Sequence, residues 1–220
     1  MVIGTRPRIS FVEIQSCKDG GPRRDTKLNH SLFGWLGLRP IFAQHTFVEH
    51  EAIRNAAAMR RTLVEIGVAE GASAIALRET MAPDGRLFLI DPYHLSRVRF
   101  LNTLRRTAQR AVRQCKRGNV VWIERFSHEV APSWKDAIDL LLIDGAHDEQ
   151  AVWRDWNDWS KFVRPGGVVI FHDARLFEGG WTKPEDGPVR VVDALFRNSR
   201  LPGWHIIQEA DSVVVVQRQA

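Results

Sequence analysis

The chain has 220 residues, of which 44% are hydrophobic and 26% are charged, and its formal net charge is +5. This composition is typical of a soluble globular protein with one well-buried domain, and no apolar run is long enough to cross a membrane, so the sequence predicts a cytoplasmic protein without a membrane partner. Cys17 and Cys115 stand alone, which indicates reduced thiols and excludes a disulfide framework.

The first 44 residues lack a clear hydrophobic period, and we predict that they form an irregular extension of a single domain spanning residues 45–220. Inside this extension, the segment from Leu32 to Leu38 is apolar enough to pack on another surface. That surface is either the substrate cleft or a second copy of the chain, in a homo-oligomer. Thr46 is a candidate N-cap for a helix that runs to about Met59.

The most informative stretch runs from Leu63 to Ser73 and predicts a buried strand, a tight turn and the start of a helix. Gly67 and Gly71 leave the turn without side chains, so a ligand can approach the backbone, and the helix start offers N–H groups to an anion. The spacing Glu65-x-Gly67-x-x-x-Gly71 differs from the G-x-G-x-x-G pattern of dinucleotide-binding proteins. A nicotinamide oxidoreductase is therefore the least favoured interpretation.

A second predicted strand, residues 86–90, ends at Asp91, twenty residues after Gly71. A carboxylate at such a strand end is suited to accept hydrogen bonds from two ribose hydroxyls. The alternative is an ordinary surface aspartate, but both the spacing and the strand end favour the ribose role.

The segment from Arg97 to Arg117 carries the densest run of basic residues. Ser96 is a candidate cap, and apolar residues recur every three or four positions, which predicts an amphipathic helix. We interpret the arginines as a solvated face, since neither a nucleic-acid-binding module nor interleaved aromatic residues accompany them. Nucleic acid is therefore not an expected partner.

Two further apolar strands end in chemically active side chains. The first ends in Asp144, with His147 three residues later, and the second ends in His172 and Asp173. Because adjacent parallel strands deliver their carboxyl ends to one crevice, we expect these groups to be neighbours. The glycine-rich segment 174–188 that follows is a candidate lid over this crevice.

The rest of the second half predicts packing elements. A helix over residues 149–162 presents Trp156 and Trp159 at helical spacing, and we interpret both indoles as core. A further helix covers residues 189–196, and two short strands at the end form an antiparallel hairpin.

Taken together, these motifs resemble the small class I S-adenosylmethionine-dependent methyltransferases. The resemblance is to the group that contains macrocin O-methyltransferases and cephalosporin-hydroxylase-like proteins (methyltransferase family 24), and more distantly to catechol O-methyltransferase. It implies an α/β fold, with a Rossmann-like doubly wound sheet of about seven strands, mostly parallel, and helices on both faces. The motifs that carry the resemblance are Glu65-x-Gly67-x-x-x-Gly71, Asp91, Asp144-Gly145-x-His147, Arg164-Pro165-Gly166-Gly167 and His172-Asp173.

The resemblance also implies roles for individual residues. S-adenosylmethionine is expected to bind at Glu65, Gly67, Val68, Gly71, Ser73, Asp91, Ser127 and Asp144. Ser73 corresponds to the serine that binds the methionine carboxylate, and Ser127 to the position against adenine. Mg²⁺ or another divalent cation is expected at Asp144, His172 and Asp173, and the catalytic pair is His147 with Asp144.

Two histidines depart from the catechol-type pattern. Those enzymes end the fifth strand with aspartate and asparagine, whereas His172 offers a nitrogen ligand. Either the site favours a softer ion than Mg²⁺, or the His172 side chain points away from the metal. His147 replaces their catalytic lysine, and its ordinary pKa suits a general base that removes a hydroxyl proton. Its alternative role is contact with the cofactor or the lid, and His45 is a second, weaker candidate for the base.

The leading prediction is O-methylation of a small hydroxylated molecule, such as a sugar or natural product. A second interpretation is a metal-dependent hydroxylase, since some relatives with this outline are hydroxylases. A third is a non-catalytic protein that binds S-adenosylmethionine or nucleic acid, which the basic segment motivates.

Overall fold

The computed structural model of the chain describes residues 12–14, 34–93 and 102–220. Its strands are β1 (Val12–Ile14), β2 (Ile41–Ala43), β3 (Thr62–Ile66), β4 (Arg86–Ile90), β5 (Asn119–Ile123), β6 (Ile138–Ile143), β7 (Val163–Phe171), β8 (Trp204–Ala210) and β9 (Val213–Arg218). Its α-helices are α1 (Phe47–Ala57), α2 (Ala72–Thr80), α3 (Thr103–Val112), α4 (Ser127–Val130), α5 (Glu149–Trp159) and α6 (Gly187–Val192), and α6 continues into a π-helix, Asp193–Asn198.

Within these ranges, seven strands form one sheet in the order β5-β4-β3-β6-β7-β9-β8. The strands from β5 to β7 run parallel, and β9 and β8 join antiparallel at one edge. This arrangement confirms the predicted Rossmann-like sheet with its C-terminal hairpin. All six residues of β6 are buried, because helices cover both faces of a parallel sheet, and this is why its sequence is almost continuously apolar.

Helices on the two faces enclose two separate cores. On one face, α1, α2 and α3 pack on the sheet through small and aliphatic residues such as Ile53 and Ala108. On the other face, α5 and α6 pack through larger side chains, among them Trp156 and Trp159. Both tryptophans are buried, as predicted, and truncating a fully buried one to alanine typically costs about 3–5 kcal/mol of stability.

The described part of the N-terminal segment is more ordered than the sequence suggested. β2 pairs in parallel with β1, and both Ile41 and Ala43 are buried in the core beside α2. The carboxylate of Glu70 anchors this segment, because it accepts hydrogen bonds from the Phe42 backbone (2.8 Å) and the Arg39 guanidinium. Residues 41–43 are therefore not irregular, while the division at residue 44 stays a prediction.

Polar side chains cap the N-termini of α1 and α3. Thr46 caps α1, as predicted, and it forms a capping box with Glu49 that the sequence analysis did not identify. α3 starts at Thr103, where Asn102 accepts a hydrogen bond from the Arg105 backbone (3.0 Å). The predicted cap Ser96 lies outside the described residues, as do Cys17 and Leu32. No helix in the described ranges is long and apolar enough to cross a membrane.

Candidate functional site

The turn after β3 requires glycine at two positions. Gly67 has φ +85°, and a Cβ at this position would overlap the carbonyl oxygen of Asp144 at the end of β6. Gly71 has φ +87°, and its Cβ would lie 2.9 Å from a methyl group of Val112. Both conformations are strained for any other residue. The glycine turn therefore lies directly against the end of β6, where Asp144 begins the second group of predicted site residues.

Glu65 is completely buried beneath the turn. The hydroxyl of Ser73 donates a hydrogen bond to Glu65 Oε1, while Oε2 is buried without a hydrogen-bond partner. Burial raises the pKa of Glu65 well above its ordinary value, the charges of Asp144 and Asp91 add to this, and the Ser73 bond opposes it. An unpaired buried oxygen of this kind fits a polar or cationic group of a bound cofactor. The Ser73 hydroxyl is itself directed at Glu65.

Asp91 connects the end of β4 to the glycine turn. Its Oδ2 accepts hydrogen bonds from the backbone N–H of Val68 (2.9 Å) and Ala69 (3.3 Å), and its Oδ1 accepts one from Tyr93 (2.8 Å). A carboxylate has about four acceptor positions, so these three bonds leave about one for a ribose hydroxyl. Asp91 therefore holds the turn in shape in addition to its predicted role.

Ser127, predicted against adenine, begins α4 and is buried. Its hydroxyl donates a 2.5 Å hydrogen bond to Asp155 of α5, a partner that the sequence did not suggest. Beside it, the half-exposed ring of Phe126 stacks on His128, with ring centres 5.2 Å apart. An adenine role for Ser127 stays a prediction, and its hydroxyl is occupied by Asp155 in this structure.

Asp144, His147, His172 and Asp173 form one cluster at the ends of β6 and β7. His172 Nδ1 lies 3.3 Å from Oδ1 of Asp144 and 3.3 Å from Oδ1 of Asp173. His147 Nε2 lies 3.6 Å from Asp144 Oδ1, and its Nδ1 lies 3.5 Å from Asp173 Oδ2. The two aspartates thus face both histidines. His172 is 4% exposed, whereas the side chain of His147 is 42% exposed.

The charges in this cluster stabilise one another. Burial lowers the pKa of His172, but Asp144 and Asp173 outweigh it and bring the pKa well above its ordinary value. The interaction with Asp144 raises the pKa of His147, against the effect of burial. Conversely, the two histidines outweigh burial and hold the pKa of Asp144 below its ordinary value. The cluster therefore favours ionised aspartates and protonated histidines.

Three residues of the site were missed from the sequence. Glu49 of α1 reaches His172 from the far side, with its Oε2 3.7 Å from Nε2. Ser212, in the turn of the hairpin, lies with its Oγ 3.1 Å from Asp173 Oδ1. Trp181, in the predicted lid, donates a 2.7 Å hydrogen bond to Asp173 Oδ1. Glu49 had a sequence signal, the capping box with Thr46, but this signal indicates a helix start and not a site.

His45 is not available as a base in this structure. It is buried, and its Nε2 lies 3.0 Å from Nδ1 of His50. Burial, together with the charges of His50 and His172, lowers the pKa of His45 to about 3. His147 is therefore the histidine of the cluster that faces outward.

The three predicted metal ligands are neighbours, but their side chains are not arranged in a metal-coordination geometry. In the described part of the chain, no group of three or more His, Cys, Asp or Glu side chains is arranged to hold a metal ion. Nevertheless, both ring nitrogens of His172 are buried without a hydrogen-bond partner, and its Nδ1 faces carboxylate oxygens of Asp144 and Asp173. The donor types suit a divalent cation, and binding would require the side chains to converge.

A separate groove with a volume of about 700 Å³ lies along α3, and we call it the basic groove. Trp35 borders it, and the guanidinium of Arg106 lies 4.9 Å from the centre of the Trp35 ring. Its charged lining comprises Arg105, Arg106, Arg110, Arg113 and Lys116. This basic groove contains none of the predicted site residues.

The fold and the site together define a class: a Rossmann-like α/β protein with a nucleotide-type glycine turn beside an acid and histidine cluster at the strand ends. Residues 64–174, half of the chain, match the family model described as a methyltransferase domain. The chain therefore belongs to this methyltransferase family, methyltransferase family 24, and is a class I S-adenosylmethionine-dependent methyltransferase.

Solved structures of similar fold include the O-methyltransferase TomG of Streptomyces achromogenes, at a TM-score of 0.57 and 19% identity, covering 90% of this chain and 92% of TomG. The O-methyltransferase NovP gives a TM-score of 0.58 at 18% identity, covering 81% of this chain and 82% of NovP. At these identities the likeness shows the fold. The uncharacterized protein R132 of Acanthamoeba polyphaga mimivirus is 38% identical over 60 residues, which are 25% of this chain and 27% of the viral protein.

Replacement of Asp91 by alanine is expected to weaken binding of S-adenosylhomocysteine by about 10- to 100-fold, because hydrogen bonds to a charged group each contribute about 1.5–3 kcal/mol. Isothermal titration calorimetry measures this change. Asp84→Ala is the matched control, since Asp84 precedes the opposite end of β4 and its side chain is 62% exposed. Equal affinities of the Asp91 variant and the parent would remove Asp91 from the cofactor site.

Proposed function

We propose that the protein transfers a methyl group from S-adenosylmethionine to a hydroxyl oxygen of a small molecule, such as a sugar or natural product. The observation that carries this proposal is His147, an exposed imidazole held between Asp144 and Asp173 next to the glycine turn. Such a group is suited to remove the proton of an acceptor hydroxyl. TomG and NovP, which share the fold, are themselves O-methyltransferases.

Several residues support binding and orientation of the cofactor. The unpaired Oε2 of Glu65 would accept a hydrogen bond from a cationic group, and the remaining acceptor position of Asp91 would accept one from a ribose hydroxyl. The backbone around Gly67 and Gly71 leaves room for close approach of the cofactor. When bound, S-adenosylmethionine supplies a sulfonium methyl: the acceptor oxygen forms a bond to the methyl carbon, and the electron pair of the broken C–S bond stays on sulfur.

His147 takes the proton of the acceptor hydroxyl in this scheme. The imidazolium that results is stabilised by Asp144 and Asp173, each of which has an oxygen within 3.6 Å of a ring nitrogen. Trp181 and Phe177, whose ring centres lie 5.2 Å apart, place an aromatic edge beside Asp173. This edge would help exclude water and hold the acceptor, which strengthens the interactions within the site.

We also propose that a divalent cation assists the reaction. Asp144, His172 and Asp173 would hold it, and it would lower the pKa of an acceptor hydroxyl bound beside it. A nitrogen ligand favours Mn²⁺ or a similar ion over Mg²⁺. The support is the position of His172 Nδ1, 3.3 Å from an oxygen of Asp144 and 3.3 Å from one of Asp173; the ring would release its Nδ1 proton when the ion binds.

The basic groove favours a second candidate function, binding of nucleic acid. Arg113 and Lys116 are exposed along it, and Trp35 offers an aromatic surface at its border. Cationic grooves with aromatic residues bind single-stranded nucleic acid through phosphates and base stacking. In that case the methyl acceptor would be a polynucleotide instead of a small molecule.

The His147→Gln variant is expected to lose about 10²–10⁴-fold in kcat with labelled methyl donor and a phenolic or sugar acceptor, because the base is gone while Asp144 and Asp173 remain. Since a base must be neutral, the rate of the parent should rise with pH through a value above the ordinary histidine pKa. The variant should lack this rise. A variant profile that matches the parent's would contradict the general-base role.

Calorimetric titration with Mn²⁺ tests the cation. The parent is expected to bind one Mn²⁺ per chain, and Asp144→Ala to bind at least about tenfold more weakly, since it loses one of the three proposed ligands. Asp148→Ala is the control, because Asp148 caps α5 and belongs to none of the proposed ligands. Equal Mn²⁺ affinity in all three proteins would contradict the proposed metal site.

Fluorescence anisotropy with a labelled single-stranded oligonucleotide tests the second candidate. If the groove binds phosphates, affinity should fall steeply with salt, by about 0.7 in log K per log salt for each phosphate contacted. The double variant Arg113→Glu, Lys116→Glu should bind more weakly than Arg61→Glu, in which the exposed arginine lies outside the groove. Equal binding by the two variants would reject the groove as a nucleic-acid surface.

A further inference from the structure

Glu49 is the most deeply buried acid of α1, and hydrogen bonds surround it. Its Oε1 accepts bonds from the backbone N–H (2.7 Å) and hydroxyl (2.5 Å) of Ser212, and its Oε2 accepts one from the backbone N–H of Thr46 (2.7 Å). Burial raises the pKa of Glu49, but interactions with His172, Ser212 and Thr46 outweigh it and hold the pKa below its ordinary value. A carboxylate with this many donors is ionised.

The same carboxylate faces the inner edge of His172. Glu49 Oε2 lies 3.7 Å from Nε2 of His172, while Nδ1 on the opposite edge lies 3.3 Å from oxygens of both Asp144 and Asp173. The imidazole thus lies between the carboxylate of Glu49, on the Nε2 side, and the carboxylates of Asp144 and Asp173, on the Nδ1 side. Neither ring nitrogen makes a full hydrogen bond. Small rotations of the ring therefore change the distances from Nδ1 to the carboxylates of Asp144 and Asp173.

We propose that Glu49 is a positioning residue, which attracts the Nε2–H of His172 and so directs Nδ1 toward Asp144 and Asp173. A protonated imidazole carries a hydrogen on both ring nitrogens, and in a neutral one the partners of the two nitrogens decide which of them carries it, so in both states a carboxylate beside Nε2 favours Nε2–H. An acid behind a ligating or orienting histidine commonly has this effect. The inference rests on the proposed function only in that His172 belongs to the proposed site.

A capping role alone does not account for the surroundings of Glu49. A capping box needs one bond from the side chain at this position to the N-cap backbone, which Thr46 supplies. Glu49 also binds Ser212, a residue 163 positions later in the chain, and the Ser212 hydroxyl lies 3.1 Å from Asp173. Through these contacts α1 and the hairpin are both attached to the cluster.

His45 is a further titratable group close to Glu49 and His172. Burial, together with the charges of His50 and His172, lowers the pKa of His45 to about 3, so it is neutral. Its Nε2 is paired with His50 Nδ1 at 3.0 Å. His172 is therefore the cationic or hydrogen-donating imidazole that Glu49 faces.

The test compares the parent protein with Glu49→Gln and Thr46→Ala by ¹⁵N–¹H correlation spectra of the histidine rings. Glutamine keeps the length of the side chain and suits the same position of a capping box, but it has no charge. Thr46→Ala removes the side-chain cap of α1, at a typical cost of about 1 kcal/mol, and leaves the Glu49 carboxylate in place. We expect Nε2 of His172 to carry its hydrogen in the parent and in Thr46→Ala, and to lose it or share it in Glu49→Gln.

Three results would overturn the proposal. One is a parent spectrum in which His172 Nε2 carries no hydrogen, which decides the question even if Glu49→Gln fails to fold. The others are an unchanged His172 spectrum in folded Glu49→Gln and the same change in Thr46→Ala as in Glu49→Gln, either of which would reduce Glu49 to a helix cap.

Calorimetry with S-adenosylhomocysteine separates this inference from the proposed function. Because Glu49 lies behind His172 and not in the glycine turn, Glu49→Gln should bind S-adenosylhomocysteine within about twofold of the parent. Failure of the parent itself to bind would reject the proposed function and leave the spectral result intact. Loss of binding in Glu49→Gln alone would contradict a role confined to positioning His172.

Discussion

The close approach of Gly67 to the backbone of Asp144 is the constraint on which the rest of the site depends. Strands β3 and β6 are neighbours in the sheet, and a side chain at Gly67 would push their ends apart. Because the turn has no side chain there, the buried Glu65, the strand-end Asp91 and the cluster around Asp144 share one edge of the sheet. A cofactor held by the turn would therefore lie beside the cluster around Asp144.

The site concentrates charge that must be balanced inside the protein. Glu49, Asp144 and Asp173 surround His172, and removal of any one partner from such a buried set leaves the others with a desolvation cost. His147 is the exposed histidine of this cluster. The cluster therefore has one buried imidazole inside it and one exposed imidazole at its surface.

Distant parts of the chain support this arrangement. The turn of the β8–β9 hairpin brings Ser212 to both Glu49 and Asp173, and the segment after β7 brings Trp181 to Asp173. The antiparallel hairpin thus contributes to the chemistry of the site as well as closing the sheet. On the opposite side, residues 39–42 attach to Glu70 in the glycine turn, so the N-terminal segment also borders the cofactor side.

The sequence by itself determined the fold and the strand-end residues, because apolar runs, glycine spacing and candidate helix caps are local patterns, and parallel strands place their carboxyl ends at one edge. The sequence did not determine which hydrogen-bond partners the polar side chains have. Ser73 binds Glu65 and Ser127 binds Asp155, while Glu49 and Trp181 enter the cluster from elements more than one hundred residues apart. Only the tertiary structure decided these contacts, because hydrogen bonding of buried groups depends on distance in space, which sequence spacing does not encode.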